Sequence, residues 1–192
     1  MYALTRPTEE AIQRFIRSQS GQPFSYAATG ASKKGAPRGY QTDHNRIKLG
    51  NGAATFKRGA DAVRTWKMFE IGWVELCYPS SVVEPGAVVA VLANHLGFWS
   101  LNACRIVYTI DESSPLVRAG FAYGTLTQHA ESGEERFSVE WNREDDDSVW
   151  FDLFAFSRPN QALSCLGYPI ARLFQKRFAR DVLQAMLRAA NE

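Results

Sequence analysis

Six strand-like runs follow one another between Trp73 and Ser157, and that unbroken succession constrains the fold more than any other feature of the chain. They cover residues 73–78, 87–93, 102–111, 119–128, 134–142 and 149–157. Neighbouring parallel strands need a crossover of roughly a dozen residues or more, and these gaps are too short to supply one. The sheet is therefore expected to be antiparallel. Segments of helical period flank it, at 8–17 and 54–71 before most of the strands and at about 168–190 after all of them. Each carries a single apolar face. The economical packing is α+β, a curved antiparallel sheet wrapped around the long C-terminal helix with the earlier helix closing one end.

The local patterns fill in this frame. Thr8 is a natural N-cap with Glu9 and Glu10 in the first turn, and Ile12, Phe15 and Ile16 share a face. From Ser18 to Gly39 the chain is rich in Gly, Ser, Ala, Pro and Lys, which reads as a long surface connection pinned by Phe24 and Tyr26, either a lid or a tether. Residues 1–39 are expected to pack as helix and loop on a body formed by 40–192, one domain in all. Tyr40–Leu49 is a further strand candidate, and Gly72 stops the 54–71 helix. Phe137, Val139 and Trp141 alternate with Arg136, Ser138 and Glu140, the period of a half-buried strand. Val149–Phe156 is apolar on both faces except at Asp152, so it belongs where the sheet is covered on both sides. The last helix places Ile170, Leu173, Phe174, Phe178, Val182, Met186 and Leu187 on its inner stripe.

Composition excludes several classes. A net charge of +2 over 192 residues implies neither a nucleic-acid partner nor an acidic membrane surface. The longest apolar runs, such as Val88–Ala93, fall far short of the roughly 20 residues of a membrane span. The first ten residues lack the basic-then-apolar order of a secretory signal. Cys77, Cys104 and Cys165 are odd in number and widely spaced, as expected of reduced core thiols in a cytoplasmic protein. Oligomeric state is not written in the sequence.

No catalytic or metal signature stands out. Gly50-Asn51-Gly52 precedes a helix but matches neither GxxxxGK[ST] nor GxGxxG, so a tight structural turn outweighs a phosphate site. His44, His95 and His129 have no metal-ligand spacing, and neither a bound metal nor a cofactor is expected. There is no GxSxG elbow. The acidic run 144–147 reads as a solvated hairpin tip, because it lacks calcium-loop spacing.

The order of elements resembles the helix-grip fold of the START and Bet v 1-like superfamily, which includes polyketide-cyclase-like (SRPBCC) proteins. The passage Phe154–Pro159, leading through Leu163 and Gly167-Tyr168-Pro169 into a helix with Gln175-Lys176-Arg177-Phe178, carries that likeness. A closer resemblance is to the family of domain of unknown function 1990. Four blocks bear it: Gly39–His44; Leu49–Gly52 with Phe56, Trp66 and Gly72-Trp73; Asn102–Tyr108; and Phe121–Leu126 with Gly133–Phe137. The resemblance implies a fold and brings no catalytic residues with it.

Strict alternation puts Cys104, Ile106, Tyr108 and Ile110 on one strand face, Phe121, Tyr123, Thr125 and Thr127 on another, and Trp150, Asp152, Phe154 and Phe156 on a third. If these faces look toward the last helix, they enclose an aromatic space with a few hydroxyls and one carboxylate, the chemistry of an apolar ligand pocket. The candidate ligand-contacting residues are Tyr108, Tyr123, Trp150, Asp152, Arg105 and Glu135. The expected partner is a small hydrophobic molecule such as a lipid, isoprenoid or polyketide-like compound. The alternative is an enzyme of cyclase, dehydratase or hydrolase type in the same cavity, with Asp152 or Glu135 as acid–base and Tyr108 or Tyr123 as donor. Against both stands a solid aromatic core in which Asp152 pairs with an arginine such as Arg105 or Arg158.

Overall fold

The computed structural model describes residues 1–77, 83–95, 97–114, 116–144, 146–160 and 168–192, the side chains of 168–170 excepted. Eight strands form one antiparallel sheet: β1 (Tyr2–Ala3), β2 (Gln41–Asn51), β3 (Val74–Cys77), β4 (Val88–His95), β5 (Phe98–Glu112), β6 (Val117–Thr125), β7 (Glu131–Trp141) and β8 (Ser148–Pro159). The order is β2-β8-β7-β6-β5-β4-β3, with β1 on β5 beside Trp99 and Ser100. Among the described residues three α-helices accompany it, α1 (Glu9–Gln19), α2 (Gly52–Arg64) and α3 (Tyr168–Ala189). The long run of strands does pair antiparallel, β3 to β8 consecutively along the sheet and β2 closing outside β8. The architecture is the helix-grip arrangement.

The sheet buries both faces. On one lie α2 and α3, whose Ala62, Val63, Ala179, Val182 and Met186 pack with Phe121, Phe137, Val139, Phe151 and Leu153. On the other lie α1, through Ile12 and Phe15 against Leu92, Leu101 and Ala103, and the segment 20–39. Thr8 caps α1 as its sequence implies, accepting a hydrogen bond from the Ala11 amide at 3.3 Å.

That segment is neither a lid nor a loose tether. Phe24 bridges to Leu126, and Tyr26 sits over Gly124, where any Cβ would collide with its hydroxyl. The buried carboxylate of Glu134 then gathers the segment. It accepts from Tyr26 Oη at 2.6 Å, Gly30 N at 2.7 Å, Ser32 N at 3.0 Å and the Ser32 hydroxyl. A carboxylate holding four donors is worth more than neutral pairs.

Several expectations need correction. The helix expected over 54–71 is α2, ending at Arg64; Trp66 then takes a left-handed backbone, φ 62°, and lays its indole 4.5 Å from the Phe121 ring. The apolar residues beyond it belong to a 3-10 turn at Lys67–Phe69. Leu173 points away from the sheet at 67% exposure, although Phe174, Phe178, Val182 and Met186 do face it. Ile170 lies outside the described side chains. The turn at Gly50–Gly52 is structural: Asn51 Nδ2 donates to the Asp146 carbonyl and Gly52 N to that of Asp147.

Two strand faces were also misassigned. A bulge between Ile106 and Tyr108 inserts one unpaired residue into β5. Cys104 and Ile106 keep facing α3, whereas Tyr108 and Ile110 turn to the opposite face. On β8 the residues facing the helices are Val149, Phe151 and Leu153, so Trp150, Asp152, Phe154 and Phe156 lie on the other side.

Replacing Glu134 by Gln keeps the volume but sets an amide N–H₂ among donors. The expected cost is about 2 kcal/mol in urea unfolding, with faster hydrogen exchange at residues 26–34 than elsewhere. Unchanged stability would show that the segment is held by its aromatic contacts alone.

Candidate functional site

Side-chain size falls along the helix-facing side of the sheet. On β8 the sequence of inward residues is Val149, Phe151, Leu153, Ala155, Ser157, and on β7, read the same way, it is Val139, Phe137, Glu135, Gly133, Glu131. At the large end the rings meet Trp66 and Phe69 beneath α2 and fill the space. At the small end the described side chains leave a space. Gly133 is obligatory there, because a Cβ would strike the carbonyl of Phe156. The result is a cavity of about 850 Å³ between the sheet and α3.

Its walls are chiefly apolar. Trp73, Val74, Val91, Ala93 and Phe98 come from the β3–β5 side, and Phe174, Phe178 and Ala179 from α3. Phe174 meets the ring of His95 edge-on at 4.7 Å, and Phe98 stacks on the other side of that ring at 5.0 Å. The polar lining includes Ser100 and Asn102 on β5, Tyr123 and Thr125 on β6, Gln175 and Lys176 on α3, and a carboxyl cluster opposite the aromatic wall.

That cluster is Asp43 from β2 with Glu131 and Glu135 from β7. The Tyr123 hydroxyl donates to Glu135 Oε2 at 2.6 Å. Arg172 of α3 donates bidentately to Asp43 at 2.5 and 2.6 Å and also to Gln175 Oε1 at 2.5 Å, while Gln175 Nε2 donates to Glu131. This relay fastens the open half of α3 to the sheet. Burial raises the pKa of Glu135 to about 7, with the charges of Glu131 and Asp43 adding to the rise against the opposing Tyr123 bond. Burial likewise raises Glu131, against the opposing bonds of Ser157 and Gln175 and the charge of Arg172. Both histidines of the cavity are held neutral: burial lowers His95, and lowers His129 to about 4.

Of the six residues singled out from sequence, Tyr123 and Glu135 line this cavity and touch one another. Four do not. Asp152 lies on the outer face, bonded by Arg136 at 2.9 Å, Arg46 at 3.1 Å and His44 Nε2 at 2.6 Å, so it pairs with arginines other than Arg105 or Arg158. Trp150 lies beside it beneath the Arg46 guanidinium. Arg105 donates to the carbonyls of Ser20 and Gln22, tying the end of α1 to the sheet. Tyr108 bonds Ser32 on the same outer face. Cys77 and Cys104 are free and buried, and burial pushes Cys77 up to about 12, so neither offers a thiolate. Cys165 lies outside the described residues. Sequence reasoning missed Asp43, Glu131, His95 and Trp73. Glu131 alone had a visible signal, since Glu131, Gly133 and Glu135 alternate with period two.

The Glu135 carboxyl has a consequence for stability. With its pKa raised from 4.5 to about 7, the folded state holds the proton more tightly than the unfolded chain. That contribution is full below about pH 4.5 and is lost as pH rises through about 7. E135Q lacks the titration, so wild type should lose stability relative to E135Q between about pH 5 and about pH 8 in thermal unfolding. A pH-independent difference would mean that the carboxyl titrates at an ordinary value.

The DUF1990 model, a domain of unknown function, matches residues 25–185. A UPF0548 protein of Dictyostelium discoideum is 32% identical over 206 residues, covering 98% of this chain and 95% of its own. One from Deinococcus radiodurans is 36% identical over 204 residues, covering 99% of each. Among solved structures, a hypothetical protein of Helicobacter pylori superposes with a TM-score of 0.50 at 10% identity, over 88% of this chain and 96% of that one, a likeness of fold alone. With the match running through the strands, the cavity and α3, the chain belongs to the DUF1990 family.

Proposed function

We propose that this protein binds a small, predominantly apolar molecule in the cavity between the sheet and α3. The observation that carries this reading is the cavity itself: about 850 Å³ is the size of an ordinary ligand site, and its aromatic and aliphatic walls carry only sparse polar groups. Protein interiors are otherwise close-packed, and an apolar space of this size left without an occupant forfeits contacts along its whole lining. Lipids, isoprenoids and polyketide-like aromatics fit the wall chemistry. Tyr123 and Glu135 are the two residues of the original candidate set positioned to touch such a ligand. Among the described residues no helix is long and apolar enough to cross a membrane, and the free, buried thiols Cys77 and Cys104 suit a cytoplasmic setting.

Native mass spectrometry of gently purified protein should show an adduct of a few hundred daltons that is absent after denaturation. Ala155→Phe, which projects a ring into the small end, should abolish both the adduct and the uptake of Nile red. A bare mass together with no Nile red uptake by wild type would remove the reading.

A second reading has its own support. Glu135, with a pKa near neutrality and a tyrosine hydroxyl at 2.6 Å, faces the cavity as an acid–base pair. An enzyme of cyclase, dehydratase or hydrolase type could use it. The extracted ligand, returned to fresh protein, should then be converted with a rate that E135Q lowers by about 10²-fold or more. Recovery of the ligand unchanged favours binding alone.

A further inference from the structure

The cavity has unlike ends, and we infer that it is shaped for an amphiphilic amine, with the protonated nitrogen between Glu131 and Glu135 and the apolar body against Trp73, Phe98 and Phe174. The inference rests on the reading of the cavity as a ligand site and adds the chemical class of the ligand.

The two carboxyls are the starting point. An ionised carboxylate only accepts, at about four lone-pair positions. Here Glu135 receives one donor from Tyr123, while Glu131 receives donors from Gln175 and Ser157, which leaves acceptor positions open on both. Among the described residues, neither has a lysine, arginine or histidine within ion-pair distance, although ion pairs are plentiful elsewhere. The basic groups nearby are committed or remote. Arg172 is bidentate to Asp43, Lys176 is exposed at the rim, and His95 and His129 are neutral. The N-terminal ammonium donates to the Leu101 carbonyl. Lys176 lines the same cavity and the charge of Arg172 reaches Glu131, yet among the described residues no cation closes an ion pair with either carboxyl.

A buried carboxyl whose pKa is raised gains most from a positive ligand, which supplies both the missing charge and the missing donors. An ammonium brings three N–H donors. A fatty carboxylate in the same place would face like charge, and a neutral alcohol would gain one ordinary hydrogen bond. The opposite wall fixes the body of the ligand. His95 and the aromatic residues stand on the β3–β5 side, whereas Glu131 and Glu135 stand on β7, with β6 and β5 between β7 and β4. Three strand spacings place the two ends roughly 14 Å apart along the sheet. That distance suits an extended aliphatic chain or a fused ring system with the amine at one terminus.

The test uses the full chain with decylamine, decanol and decanoate, each titrated below its micelle concentration by calorimetry. At neutral pH decylamine should bind at least about tenfold more tightly than decanol, with decanoate weakest. Raising the pH from about 6 to about 8 should strengthen decylamine binding as Glu135 ionises, and leave decanol unaffected. E131Q combined with E135Q should bring the three affinities to within about threefold, with decanol binding reporting that the cavity still forms. Equal binding of decanol and decylamine by wild type, or a preference for decanoate, overturns the inference and leaves the cavity reading intact. An amine preference that survives the double substitution places the nitrogen elsewhere and overturns it too. If none of the three binds, the cavity reading fails, and this inference with it.

Discussion

The cavity depends on the change from large rings to small side chains along one face of one sheet. Phe121, Phe137 and Phe151 meet Trp66 and Met186 at one end and exclude everything else. A few residues further along the same strands, Gly133, Ala155 and Ser157 leave space that α3 spans without filling. The solid end fixes the geometry of the open one. Because α2 and the lower half of α3 are locked against the large rings, the upper half of α3 is carried over the cavity.

Polar ties help to keep that half in place over the cavity, beside the contacts of Phe174 with His95 and Trp73. The Asp43–Arg172–Gln175–Glu131 relay does this, crossing from β2 through α3 to β7. Its members are partly exposed to the cavity, so they contribute both to stability and to the electrical character of the space. The relay pairs the arginine with Asp43, and among the described residues Glu131 and Glu135 have no ion pair of their own. Structure and ligand chemistry thus share the same side chains, and a substitution in the relay is expected to alter both.

The opposite face of the sheet has a different character. It is covered by α1 and by the 20–39 segment, with Glu134, Arg105 and Asp152 each satisfying several partners. Charged groups at such positions are stable only when their hydrogen bonds are complete, and here the backbone of the covering segment completes many of them. This face is the scaffold that holds β6, β7 and β8 in register behind the cavity. Residues that looked like site candidates, Tyr108, Trp150, Asp152 and Arg105, belong to it.

The sequence by itself determined the class of the fold, because six strands with short connections can only pair antiparallel and because α3 has one apolar stripe. It also offered Tyr123 and Glu135 as candidates beside Tyr108 and Asp152, and the structure pairs the first two. What it could not contain was which face of β5 and β8 looks inward. On β8 both alternations are apolar, since both faces of the sheet are covered, so a period of two carries no direction. On β5 the bulge after Ile106 shifts the alternation by one residue, and a bulge leaves no mark in composition. Only the tertiary structure decided that Asp152 meets Arg46 and Arg136 across the outer face, and that Asp43, distant in sequence, joins Glu131 and Glu135. The physical reason is that strand order and register bring together residues whose separation along the chain says nothing of their separation in space.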